Sequence, residues 1–227
     1  MAISKRDFDI ISLDIETGGV GRPNAVLAPN GQPYPLLSIG CVRLSDFATF
    51  YTEIGYEYLT VAPESMAVHG LNITQMSDRK TKFQEYPLPS TKYADEHLIA
   101  WLKSDPFYRE GKKFCLIPMG MNVGSFDMQF VHYWLPKSGN LFGYRSIDLN
   151  SPTFIEAWMH EEATFEKMKE SAKALGHSFA INHFGKKLEH NALYDAWVNL
   201  GYFHYLVDVD HAPMTVGKVE WQGGKPA

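Results

Sequence analysis

The sequence predicts one α/β domain built on a mixed sheet. Three observations point there. Three β-forming runs come early, later stretches alternate between helical and strand-like patterns, and 227 residues suffice for one good core but not comfortably for two. An apolar share of 45 %, with 14 % aromatics, fits a folded globular chain and excludes a disordered one.

Each element follows from its local pattern. Residues 8–16 read as a strand, 36–44 ("LLSIGCVRL") as a second and 48–56 ("ATFYTEIGY") as a third. The short link between the last two predicts an antiparallel hairpin. The intervening 21–35 loop is rich in Pro, Gly and Asn, and loops of that length are often functional. "PESMAVHGLN" (63–72) reads as a short helix and turn. In 90–104, Ser90 or Thr91 is an N-cap candidate, and Leu98, Trp101 and Leu102 have helical spacing. "FCLIPMG" (114–120) reads as a buried strand, "SFDMQFVHYWL" (125–135) as a helix and "YRSIDL" (144–149) as a short strand. Two helical stretches follow, about 152–175 and 189–206, joined by "GHSFAINHFGKK". The expected division is one domain over 1–211 and a tail over 212–227 that lacks periodicity.

Composition excludes several classes. A formal net charge of −5 is not that of a basic nucleic-acid coat, although an acidic protein can bind nucleic acid where metals or a local basic strip neutralise phosphates. Cys41 and Cys115 lie in apolar runs and read as buried free thiols, with no zinc-site spacing. No run approaches the span of a bilayer and the N-terminus has no apolar signal region, so the expectation is a soluble, cytoplasmic protein with no membrane partner.

The chemistry starts at "ISLDIETGGV" (11–20). On a strand, Asp14 and Glu16 point to the same face. Two carboxylates held close repel, and a divalent cation removes the conflict. Hard oxygen ligands suit Mg²⁺ or Mn²⁺. Acids at strand ends are also ordinary turn residues. Asp127 opens a predicted helix after a predicted strand, where an acid is favourable beside the helix dipole in any protein. "EHNALYDAWVNL" (189–200) carries His190 and Asp195, and it reads equally as an amphipathic helix with a polar face.

Taken in order, these segments resemble the DEDDh 3′→5′ exonucleases. The first motif, D-x-E followed by Thr-Gly, stands as Asp14-Ile15-Glu16-Thr17-Gly18. The second stands as Asn122 and Asp127, and the third, His-x₄-Asp, as His190 and Asp195. "VHGLN" (68–72) is similar to a turn that many members carry. Four residues separate Asn122 from Asp127, as in oligoribonuclease, and "YRSIDLNSPTFIEAW" (144–158) looks like that enzyme's downstream segment. The resemblance spans about residues 8–206. It implies a ribonuclease H-like mixed sheet, antiparallel over its first three strands and parallel after them, flanked by helices. It also implies two divalent metals, Mg²⁺ or Mn²⁺, held by Asp14, Glu16, Asp127 and Asp195.

The same resemblance implies a metal-dependent release of 5′-mononucleotides from single-stranded or short nucleic acid, with RNA slightly favoured, and a possible homodimer. His190 would be the general base, since imidazole titrates near neutral pH. Residues five apart diverge by about 140° on a helix, so His190 should precede the helix that carries Asp195, and Asn191 reads as a cap. Thr17, Gly18 and Gly19 could hold the terminal nucleotide, because glycine lets a ligand come close. Asn122 and His69 are further substrate contacts by resemblance, and His69 reads equally as a turn residue.

Phe126, Phe130, Tyr133 and Trp134 could stack bases but fit a core better. His177, His183 and His190 match no zinc pattern. Lys173 with "FGKK" (184–187) could meet phosphates, although a solvated surface run fits better. Two alternatives stay open: a catalytically silent nucleic-acid-binding module of this fold, and a hydrolase of small phosphodiesters such as dinucleotides.

Overall fold

Alternation along β1 (Phe8–Thr17) divides its side chains between two layers. Ile11, Leu13 and Ile15 are buried in one core, and period two sends Ser12, Asp14 and Glu16 to the opposite face. The computed structural model describes residues 8–208, except 22, 24–26, 72–87, 112–113, 160–163 and 189. Residues 1–7 and the predicted tail 212–227 lie outside the described residues.

The sheet has five strands in the order β3-β2-β1-β4-β5, where β2 is Leu36–Arg43, β3 Thr49–Glu53, β4 Cys115–Gly120 and β5 Ile147–Asp148. The β1–β2 and β2–β3 pairs are antiparallel, and the β1–β4 and β4–β5 pairs are parallel. This is the mixed sheet that the sequence predicts. Central position makes β1 the most constrained strand.

The odd face of β1 packs on α2 (Thr91–Lys103) and α3 (Asp127–Trp134), through Ala94, Leu98, Leu102, Met128, Phe130 and Val131. On the other side lie α6 (Phe165–Phe184) and α7 (Ala192–Asp208), whose buried residues include Ala172, Ala180, Tyr194, Trp197 and Tyr202. Short helices α1 (Pro63–His69) and α4 (Pro136–Gly139), and the ten-residue α5 (Asn150–Met159), complete the described elements. No described helix is long and apolar enough to cross a membrane.

The helices differ from expectation in two ways: the expected stretch 152–175 is divided between α5 and α6, with Thr164 outside both, and the boundary at residue 175 moves. The segment 176–184, read as part of a linker, is helical and belongs to α6. Thr164 caps that helix by accepting the Lys167 N–H at 3.3 Å. Met168, Ala172, Gly176 and Ala180 are buried at helical spacing, and Gly185, in the left-handed conformation at φ 72°, ends the helix. The buried stripe is made of small residues, so it carries little hydrophobic signal. It faces α7 closely: a Cβ at position 176 would meet the Val198 carbonyl.

Most of the aromatics and histidines that the sequence analysis singles out have packing partners. Phe130 is buried, Phe126 and Trp134 line the core, and Tyr133 is partly exposed. His183 stacks on Trp197 at 4.3 Å, and His177 Nδ1 meets the Tyr194 hydroxyl at 3.1 Å. Cys41 is buried and Cys115 partly so, both as free thiols.

Candidate active site

Asp14 and Glu16 stand near the C-terminal end of the central strand, on the face that α7 covers. Three features bring α7 there. Asp14 pairs with Gly40 across the β1–β2 ladder, and a Cβ at Gly40 would collide with the backbone of Ala192 and Leu193. The missing side chain lets the first turn of α7 rest on the sheet. The buried Ser12 hydroxyl donates to the Ala196 carbonyl at 2.7 Å. Asn191 caps the helix, its Oδ1 accepting the Tyr194 N–H at 3.1 Å. Asp195 thereby sits in the first turn, with His190 just before the helix, as the spacing requires.

Asp127 arrives from the other layer. It is the first residue of α3, and its buried carboxylate faces the backbone N–H groups of Asp127 itself and of Ile15, which work against the effect of burial. That second contact ties it to β1, one residue from each strand acid.

The four carboxyls feel one another. Burial, then Asp127, Asp195 and Glu16 in that order, push the Asp14 pKa well above the ordinary carboxylate range. Glu16 is raised to about 8 by burial and by Asp195 and Asp127. Asp127 rises to about 8, with burial dominant and Asp148 adding to it. Such acids resist ionisation in the metal-free site, and a divalent cation would reverse that by charge compensation. The donor atoms fit a hard cation, since carboxylate oxygen dominates the set.

The tightest group is not the four acids. Ligand atoms of Glu16, His190 and Asp195 lie within 4.8 Å of one another, while Asp14 and Asp127 couple to them electrostatically.

Backbone geometry marks the same region. His190 and Asn122 have φ of 60° and 55°, the left-handed region that non-glycine residues rarely adopt. Asn122 spends its side chain on the protein: its Oδ1 accepts from Asn150 Nδ2 at 3.1 Å, and its N–H donates to Asp148 Oδ1 at 3.2 Å.

At the strand end, a register shift between Glu16 and Thr17 turns the chain out of the ladder, as bulges do beside functional sites. The Thr17 hydroxyl donates to the Gly19 carbonyl at 2.8 Å. The space beside Gly18 and Gly19 is taken by Pro35 and Val61 and by the Tyr34 ring. A side chain at either position would collide with those residues. His69 accepts the Leu71 N–H at Nδ1, 3.1 Å away, leaving Nε2–H to donate to the Thr17 carbonyl at 3.3 Å. Burial lowers its pKa, and His190 lowers it further, so both rings border one site.

Sequence reasoning passes over three residues here. Asp148 is an acid at the end of a parallel strand, a position that favours function in α/β sheets, and that placement is the signal that could have found it. Ser12 and Gly40 carry no signal without the third dimension.

The sequence matches no protein-family model and no curated protein. The fold does match solved structures. The zinc-bound complex of E. coli exonuclease I with single-stranded DNA is 16 % identical over 90 % of this chain and 41 % of that one, with a TM-score of 0.55. E. coli exonuclease I with a dT13 oligonucleotide gives 16 %, 88 %, 41 % and 0.55, and apo exonuclease I gives 14 %, 89 %, 42 % and 0.55. The fold is thus the ribonuclease H-like one that these structures share. The chain spans about two-fifths of the length of those proteins.

Proposed function

We infer that this protein is a metal-dependent 3′→5′ exonuclease that hydrolyses single-stranded nucleic acid to 5′-mononucleotides. One observation carries the reading: carboxyls from three distant segments, Asp14 and Glu16, Asp127, and Asp195, crowd one end of the central strand and are electrostatically coupled. The ordered motifs support it, and so does a fold similar to that of exonuclease I, whose structures hold single-stranded DNA.

In this reading Asp14, Glu16, Asp127 and Asp195 hold two divalent cations, Mg²⁺ or Mn²⁺. When bound, such cations make water a competent nucleophile near neutral pH and stabilise the leaving oxygen. The chain does the rest. His190 is exposed and precedes α7, and it takes the proton of the attacking water. The Asn191 cap and the Ser12–Ala196 hydrogen bond hold the first turn of α7 in place, so Asp195 is set before substrate arrives. His69, Thr17 and the backbone of Gly18 and Gly19 border the place for the 3′-terminal nucleotide, and Asn122 shapes its wall. The lean towards short RNA rests on the oligoribonuclease-like segments alone.

The test is release of 5′-mononucleotides from two-residue and twenty-residue RNA and DNA, each with a free 3′ end, in Mn²⁺. The wild-type protein should release them and Asp14→Ala should not. Equal turnover in the variant would remove the assignment, and metal binding without hydrolysis would leave a silent binding module.

A further inference from the structure

Beside the acid cluster lies an open cleft of about 400 Å³, lined by Asn150, Ser151, Phe154, Ile155 and Phe165. That volume lies in the range of small-ligand sites. The Phe154 and Phe165 rings pack against each other, 5.7 Å apart and inclined at 54°, as one aromatic wall, while Asn150 and Ser151 give one end polar character. Phe154 is 63 % exposed and Trp158, one turn further along α5, is 82 % exposed. Apolar surface of that size on one short helix carries a solvation cost that a ligand would relieve.

Position and lining say which ligand. Asn150, at the mouth of the cleft, donates to Asn122, and Asn122 opens the turn that ends at Asp127. The Asn150 and Asn122 N–H groups both donate to Asp148 Oδ1, at 3.0 and 3.2 Å, so this end of the cleft adjoins the turn that leads to Asp127. At its far wall the Lys169 ammonium lies 5.6 Å from the Phe165 ring centroid, a cation beside an aromatic face. An aromatic wall, a polar end and a flanking cation suit a base attached to a phosphate. A base must leave its duplex partner to enter such a cleft.

We propose that the α5–α6 cleft is a nucleobase subsite for the single strand upstream of the cut, with the exposed face of Phe154 stacking one base and Lys169 meeting its phosphate. This rests on the exonuclease reading for its direction along the strand, and on the cleft itself for its chemistry.

The test is fluorescence anisotropy with labelled two-residue and twenty-residue oligothymidylates, in Ca²⁺ so that the probe is not consumed. Phe154→Ala should weaken the twenty-residue strand about 5- to 100-fold, the range for one lost base–aromatic stack. It should leave the dinucleotide unchanged, and Phe154→Tyr should restore binding. Because Phe154 is exposed, unchanged thermal melting is expected and serves as the folding control. Unchanged affinity for the long strand overturns the subsite. Equal loss for both lengths also overturns it, since the effect then belongs to the terminal nucleotide. So does a wild-type dimer that Phe154→Ala dissociates while strand affinity stays the same, which makes the face a self-association surface. The two readings separate cleanly. Length-dependent loss in a protein that never cleaves keeps the subsite and removes the exonuclease, whereas cleavage without that loss does the reverse. A wild-type protein that binds no strand removes both.

Discussion

Strand β1 carries buried acids at both ends, and the two ends solve the same problem differently. At the N-terminal end, Asp9 and Asp105 lie together near Arg43. The Arg43 Nε donates to Asp46 at 2.8 Å, its guanidinium reaches Asp105 at 3.9 Å, and it covers the Trp101 ring at 5.1 Å. The chain supplies its own cation there. At the C-terminal end, among the described residues, no lysine or arginine pairs with Asp14, Glu16 or Asp127. Burial pushes Asp9 only to about 6 but Glu16 and Asp127 to about 8. One cluster is closed by a cation of the fold, whereas Asp14, Glu16 and Asp127 have no such ion pair among the described residues.

The sharpest way to break that contrast is Asp14→Ala. If the C-terminal cluster works through bound cations, hydrolysis should fall by roughly three orders of magnitude, since cation stabilisation of the transition state is worth several kcal/mol. Steady-state rates on a single-stranded oligomer measure it. Arg43→Met is the mirror experiment. Removing the built-in cation strands the buried Asp105 carboxylate, at a cost of about 3–5 kcal/mol. Urea unfolding should show that loss, while hydrolysis per folded molecule stays within about twofold.

Gly40→Ala ranks next. The added methyl group wedges the first turn of α7 away from the sheet, costing about 1–3 kcal/mol as overpacked contacts do. Hydrolysis should fall further than folded fraction does, because Asp195 and His190 move with that turn. Enzymatic rate set against circular-dichroism melting separates the two effects.

The smallest effects are in pH. Both ends hold carboxyls with raised folded-state pKa values, so each loses stability as pH rises from the ordinary carboxylate value through the folded one, and the loss is complete above it. Without metal, Glu16 and Asp127 should lower the melting temperature between about pH 4.5 and pH 8. Mn²⁺ should therefore raise it more at pH 8 than at pH 5. At the other end, Asp9→Asn should add about 1–2 kcal/mol above pH 6 and little at pH 4, with no dependence on Mn²⁺. A Mn²⁺-dependent Asp9 effect would erase the distinction between the clusters.

Much of this was legible before the structure. Alternation placed Asp14 and Glu16 on one face, and the spacing of five put His190 ahead of the helix that carries Asp195. Those are local periodicities, which sequence records directly. The rest depended on contacts between distant segments. Gly40 reads as an unremarkable strand glycine until α7 lies on it. Segment 176–184 looked like a link because its buried face is built from Gly176 and Ala180, which contribute shape rather than hydrophobicity. Gly18 and Gly19 pack against Pro35, Val61 and Tyr34, contacts that no local pattern records. Asp148 lies in a stretch that reads as a strand, but its place beside Asn122 depends on the pairing of β4 with β5.

The central claim is that the C-terminal end of β1 is a divalent-cation site. Anomalous scattering from crystals soaked in Mn²⁺ tests it most directly. The account predicts a manganese peak within bonding distance of carboxylate oxygens from Asp14, Glu16, Asp127 and Asp195. A map with no peak among those residues at millimolar Mn²⁺, or with peaks on the outer surface alone, would contradict it.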